Sequence, residues 1–441
     1  MRETFDAILK GGAVLANGGI AACDIGVRDG RVAALGSLDA AQAGEAIDAR
    51  GLHILPGVID TQVHFREPGL EHKEDLETGS RAAVLGGVTA VFEMPNTSPP
   101  TDSAETLADK TRRAKGRMFC DFAFFAGATR ENTGDIPALE RLEGSAGIKV
   151  FMGSSTGGLL VDGEAALEAI VASLSRRASF HAEDEARLRA RLDVRRAGDP
   201  SSHPEWRDEE AALIATRRLV RLAEKHRKYV HVLHVSTAAE MAFLAEHRTW
   251  ASVEVTPHHL TLRAPDCYRE LGTYAQMNPP VRDERHRQAL WKGVENGIVD
   301  VLGSDHAPHT RAEKDRAYPA SHSGMPGVQT LVPIMLDHVN AGRLSLERFA
   351  DLSSGAPARL FAITGKGRIA LGFDADFTVV DLKRRETITN DWIASRCGWT
   401  PYHGREVRGW PVGTFVRGRR VMWEGEILGT ADGQPVRFRL P

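Results

Sequence analysis

Short apolar runs recur between residues 57 and 364, separated by stretches rich in Ala, Leu, Arg and Glu. The runs are GVIDTQVHF, VTAVFEMPN, CDFAFFAGA, GIKVFMG, ASFHAED, YVHVLHVST, WASVEVTPHH and VDVLGSDHAPHT. The intervening ETGSRAAVLGG, EAALEAIVASLSRRA and EEAALIATRRLVRLAEKH have helical periodicity. Strands alternating with helices predict a parallel sheet, and eight of them predict a closed (β/α)8 TIM-like barrel in an α/β protein. Most runs begin apolar and end in His, Asn, Lys or Asp, so the polar residues collect at the edge where such a barrel carries its site. The chain ends have another texture: FDAILKGGAVL, CDIGVRDGRVAAL, RIALGFDADFTVVDL, TFVRGRRVMWEGEIL and VRFRL read as short strands, with a hairpin signal at Asp29-Gly30. The expected organisation is a barrel over 57–364 and a small composite β-sandwich domain from 1–56 and 365–441.

A length of 441 residues exceeds the size at which a single core usually stops growing, which suits this division. With 42% hydrophobic residues, 26% charged residues and a net charge of −3, nothing pulls the chain toward nucleic acid, and small molecules or other proteins are the expected partners. Cys23, Cys120, Cys267 and Cys397 are far apart and form no CxxC, which argues against a thiolate zinc site and a disulfide framework and for a reducing compartment. MRETFDAILKGG is acidic where a signal peptide would be basic, and no run of about 18 apolar residues occurs. A cytoplasmic protein without a membrane span is expected.

A lone histidine at a strand end is more often structural than a ligand. His64, His181 and His234 at the same edge of successive barrel strands, with Asp305 ending the eighth, are a different matter: they form a set of nitrogen and oxygen donors suited to zinc or a similar divalent ion. His231, His258, His259 and His306 are assigned to packing or to supporting the ligands. Lys149 in GIKVFMG is costly if buried, charged and unpaired. It either reaches an outer carboxylate or is carbamylated on its side-chain nitrogen, which makes it an anionic ligand able to bridge two ions.

In order along the chain, GVIDTQVHFREPG, EMPNTSP, GIKVFMG, HVLHVST, EVTPHHL, QMNPPVR and SDHAPHT resemble the motif series of dihydroorotases of the amidohydrolase superfamily. The resemblance covers essentially the whole chain. Its metal, lysine and histidine motifs are shared with hydantoinases and allantoinases, whereas FREPG, MPNT and DHAPHT in combination are more specific. It implies interconversion of dihydroorotate and N-carbamoyl-L-aspartate in pyrimidine synthesis, in a homodimer or in association with aspartate transcarbamoylase. It also implies one or two zinc ions held by His64, Lys149 (N6-carboxylated), His181, His234 and Asp305, with Asp305 as general base and then acid. Arg66 and Asn96 would hold the substrate carboxylate, Asn278 and His309 would complete the pocket, and Gly324 would offer a backbone contact. Arg suits this task because its planar fork pairs a carboxylate and stays charged.

The chain departs from the pattern at Gln62-Val63-His64, where most members have His-x-His. Period two keeps 62 and 64 on one face, but Gln offers only a neutral carbonyl oxygen. A two-metal site with one weakened position, a one-metal site on Lys149, His181 and His234, and a metal-free homologue all remain open. The presence of every other motif residue favours an active zinc enzyme. The rivals are a hydantoinase-like or allantoinase-like cyclic amidase and a non-catalytic structural partner of aspartate transcarbamoylase.

Overall fold

The computed structural model describes residues 4–16, 19–40, 43–154 and 158–440. The N-terminal stretch forms β1 (Phe5–Ala16), β2 (Gly19–Arg28), β3 (Arg31–Gly36), β4 (Ala43–Asp48) and β5 (His53–Pro56). One residue later begins β6 (Val58–Val63), followed by β7 (Val88–Glu93), β8 (Asp121–Gly127), β9 (Ser145–Phe151), β10 (Ala178–His181), β11 (Val230–Val232), β12 (Ala251–Val255) and β13 (Val301–Leu302). These eight are the eight apolar runs, and they lie side by side in chain order in one sheet whose registered pairs are all parallel. The sheet comes round on itself where Val63 bridges His306 and the His64 N–H donates to His306 O at 2.7 Å. The result is a nearly closed barrel.

The helix Glu209–His226 shows how a crossover is specified. Asp208 caps it by accepting from the Ala211 N–H, Leu213, Leu219, Val220 and Leu222 face inward, and Arg227 ends it in a left-handed conformation (φ 54°). Each inward Leu or Val adds about 1.5–3 kcal/mol of burial free energy, which offsets the entropy of ordering the turn it sits on.

The C-terminal strands β14 (Phe377–Thr387), β15 (Glu406–Val416), β16 (Arg419–Trp423) and β17 (Glu426–Ile427) join β1–β5 in one nine-stranded sheet, antiparallel except where β4 and β5 run beside β1. It curls over its own core, in which Leu9, Val27 and Val32 pack in one cluster with Val379, Val412 and Phe415. The Val32 N–H donates to Phe373 O and the Ala375 N–H to Gly30 O, both at 2.9 Å, drawing the β2–β3 hairpin onto the C-terminal half.

VRFRL does not join this sheet. The Phe122 N–H donates to Gln434 O at 3.0 Å and the Val436 N–H to Phe122 O at 2.8 Å, which fixes the segment at the N-terminal end of β8. Val436 and Phe438 pack there with Phe92, Phe125, Phe361 and Ile363. The alternation is that of a strand, but Val436 and Phe438 fill the barrel's lower mouth.

Candidate active site

At the opposite, C-terminal ends of the barrel strands lies a pocket lined by Gln62, His64, Arg66, Asn96, Lys149, Phe151, His181, His234, Asn278, Asp305, Ala307, Ser323 and Gly324. Ten of the eleven candidate residues are on its wall. The eleventh, His309, sits one layer behind, its Nε2 3.4 Å from Arg66 Nη2 and 3.0 Å from Ser323 O.

Three wall residues have left-handed backbones, Arg66 (φ 66°), His234 (φ 38°) and Asp305 (φ 47°). Such a conformation costs a non-glycine residue about 1–3 kcal/mol and persists where the surroundings dictate it. Here each lies just past or near a strand end, where the chain turns over the barrel rim.

The donor atoms converge. His181 Nε2 donates to Glu183 Oε2 at 2.8 Å, which leaves Nδ1 as the lone pair, 3.1 Å from His234 Nε2. His64 Nδ1 donates to Asn96 Oδ1 at 2.8 Å, so its Nε2 lone pair faces Asp305 Oδ1 at 3.3 Å. Gln62 Nε2 donates to that same oxygen at 3.1 Å. Among the described residues, Gln62 Oε1 and His234 Nδ1 are buried with no hydrogen-bond partner. Burial pushes all three imidazoles below their ordinary pKa, so they stand neutral and able to donate lone pairs.

The His181 Nδ1 lone pair accepts from His234 Nε2 at 3.1 Å, whereas the His64 lone pair set against the Asp305 carboxylate and the unpartnered Gln62 Oε1 and His234 Nδ1 lack the positive partner that a shared cation would supply. Nitrogen–zinc bonds of about 2.0–2.1 Å around one ion give ligand separations of this order. The residues therefore fit a divalent ion. Lys149 joins them as an amine 4.6 Å above the Phe151 ring. Burial pushes Lys149 down and Asp305 up, each shift opposed by the other's charge.

Glu183 and Arg207, absent from the sequence reading, hold His181. Arg207 Nη2 donates to Glu183 Oε2 at 2.6 Å and its Nε contacts both carboxylate oxygens at 3.1 Å. Burial alone would raise the Glu183 carboxyl; Arg207 and His181 bring it below the usual carboxylate range. Glu183 lies two residues after His181 on ASFHAED, so period two placed it on the same face as His181. Arg207 has no such signal. Both side chains are almost fully buried, so Arg207→Met is expected to cost about 3–5 kcal/mol of stability by stranding a carboxylate. Chemical denaturation checks this, and a loss under about 1 kcal/mol would mean that the pair does not hold His181.

The asparagines are oriented in the same manner. Asn96 accepts from His64, and Asn278 Oδ1 accepts from His203 Nε2 at 2.9 Å, so the end of each amide able to serve an anion is its NH2. Gly324 contributes differently from a backbone donor. Its N–H is committed to Gln276 O at 2.8 Å, and a Cβ there would lie 2.4 Å from Ala307 O, so what it provides is space. The other histidines serve as supports: His231 bonds Ser252, His258 bonds the Tyr402 hydroxyl, His259 bonds Thr256, and His306 bonds Glu74.

The sequence of residues 53–421 matches the model of the amidohydrolase family. The chain belongs to the amidohydrolase family, whose members are generally metal-dependent, in keeping with the donor set above. It is 38% identical to a dihydroorotase of Halobacterium salinarum, over 99% of this chain and 100% of that one. It is 35% identical to an allantoinase of Solibacter usitatus, over 98% and 97% of the two chains. In three dimensions it is similar to the L-hydantoinase (dihydropyrimidinase) of Arthrobacter aurescens, with a TM-score of 0.93, 30% identity, and 98% and 100% of the chains covered. Among the described residues no helix is long and apolar enough to cross a membrane.

Proposed function

We propose that this chain is a dihydroorotase, which hydrolyses dihydroorotate reversibly to N-carbamoyl-L-aspartate, with zinc as its ion and Lys149 carboxylated on Nζ. The observation that carries the reading is Arg66, a guanidinium 2% exposed on the wall of the pocket it shares with the candidate metal donors. A cyclic amide that also bears a carboxylate needs both halves. Hydantoin and allantoin lack that ring carboxylate and would leave the charge of Arg66 unmatched.

Burial lowers the pKa of the Lys149 amine. A neutral amine adds to carbon dioxide, losing a proton, and the carbamate formed is an anion with two ligand oxygens. When bound, a divalent ion supplies Lewis acidity toward the amide carbonyl and acidifies water near neutral pH. Asp305, held at Oδ1 by Gln62 and raised in pKa by burial, takes the proton of the attacking water and returns it to the leaving amide nitrogen. Arg66 and the NH2 groups of Asn96 and Asn278 hold the ring carboxylate, and the same contacts in reverse order serve ring closure. Pyrimidine synthesis, a cytoplasmic location and self-association belong to the same proposal.

The test is a metal count and a dihydroorotate assay on one preparation. Ring opening with one or two zinc ions per chain is expected, and no ring opening in fully metal-loaded protein would sink the reading. Very low metal in carefully prepared protein would point instead to a structural partner of another enzyme. Gln62→His is expected to tighten the metal at that position by about tenfold, about 1.4 kcal/mol, because imidazole is a better ligand than an amide oxygen. Chelator competition measures this, and an unchanged affinity would mean that Gln62 does not face the ion.

A further inference from the structure

Lys73, in the turn after REPG, has a side chain only 4% exposed, and its ammonium touches two groups. Glu313 Oε1 lies at 3.0 Å and His309 Nδ1 at 3.2 Å. Glu313 is itself fixed, its Oε2 accepting from the Thr310 N–H at 2.9 Å and from the Thr310 hydroxyl at 3.0 Å in the capping box of the helix Arg311–Lys314. Burial lowers the pKa of Lys73 and the Glu313 carboxylate opposes that shift.

An ammonium only donates hydrogen bonds, so the imidazole nitrogen facing it must present a lone pair. That places the His309 proton on Nε2. The other side of the ring agrees independently: Nε2 faces the carbonyl oxygen of Ser323 at 3.0 Å, which requires an N–H. Arg66 Nη2, which also only donates, stands 3.4 Å from Nε2. Two donors that close are stabilised by acceptors beside them: Ser323 O is one, and the substrate carboxylate is the other expected at this edge of the pocket. The cluster of His309, Glu313 and His322 has ligand-type atoms within 4.8 Å of one another, but the Lys73 ammonium already supplies its positive charge.

We propose that Lys73 is a positioning residue for carboxylate recognition: by donating to His309 Nδ1 it fixes the Nε2–H tautomer, so that His309 shares its Nε2–H between Ser323 O and the carboxylate at the Arg66 edge of the pocket. Without it the ring can carry its proton on Nδ1, toward Glu313, and turn a lone pair toward the carboxylate. The inference rests on the dihydroorotase reading for its substrate, though not for the tautomer itself.

Two measurements test it. In steady-state kinetics, Lys73→Met is expected to raise KM for dihydroorotate by about tenfold or more while kcat changes by less than about threefold, and Lys73→Arg, which still donates, is expected to restore most of the loss. In nitrogen NMR of the histidine-labelled wild-type holoenzyme, with the signal assigned by its loss in His309→Asn, His309 is expected to be protonated on Nε2 alone. An unchanged KM in Lys73→Met, parallel losses in kcat and KM that Arg does not rescue, or a wild-type His309 protonated on Nδ1 would each overturn the proposal. If the wild type fails to turn over dihydroorotate, the functional reading falls, and the tautomer still decides the role of Lys73.

Discussion

Asp305→Asn is expected to lower kcat for dihydroorotate ring opening by about 10³-fold, the middle of the range for losing a positioned general acid and base. The amide keeps the shape of the carboxylate and an oxygen for Gln62 Nε2, which now reaches Asp305 Oδ1 at 3.1 Å. It cannot accept a proton from water or deliver one to the leaving nitrogen. Because Asp305 also belongs to the donor set, the variant must be assayed with excess metal and its metal content measured. A loss that added zinc repairs would assign Asp305 to binding the ion and not to proton transfer. A kcat within tenfold of wild type at full metal loading would remove it from the mechanism. The burial that pushes its pKa up serves this role, since a base too weak to take a proton near neutral pH cannot return one either.

The barrel was legible because each of its strands is a short apolar run with a polar terminus, and period two did the rest. Gln62 and His64, two apart, both reach Asp305 Oδ1, as residues on one face of a strand should. Glu183 carried the same signal relative to His181 and could have been found by it. Arg207 could not, because it comes from the irregular segment before a crossover helix and meets Glu183 only through packing. Lys73 was likewise invisible: a lysine in a polar turn reads as solvated, and only the fold buries it between Glu313 and His309. The C-terminal strand shows the opposite limit. VRFRL has a clear alternation, yet alternation specifies which side chains are buried and leaves the partner open, and the partner proved to be the mouth of the barrel. Left-handed backbone at Arg66, His234 and Asp305 was not legible either, since it is uncommon for any residue but glycine, even though Asp and His adopt it more readily than most, and the site holds them there.

Arg66→Ala is the change that separates substrate classes. Its guanidinium is buried, its Nε donates to Pro308 O at 3.2 Å, and its pKa falls to about 10 through burial while Asp305 and Glu93 oppose the shift, so it stays charged at neutral pH. Removing one partner of a desolvated, hydrogen-bonded charge pair costs about 2–5 kcal/mol, because the other charge is left stranded. On that basis KM for dihydroorotate should rise at least about 30-fold. Arg66→Lys should recover part of this, since a point charge lacks the planar fork that engages two carboxylate oxygens. Alanine at a φ of 66° still bears the backbone strain of the wild type, so a melting curve distinguishes lost folding from lost binding. A ring amide without a carboxylate provides the control: any turnover of it should be insensitive to the substitution, because it never used the guanidinium. An unchanged KM for dihydroorotate in folded, metal-loaded Arg66→Ala would reassign the pocket to the carboxylate-free cyclic amides, and with it the meaning of FREPG in this chain.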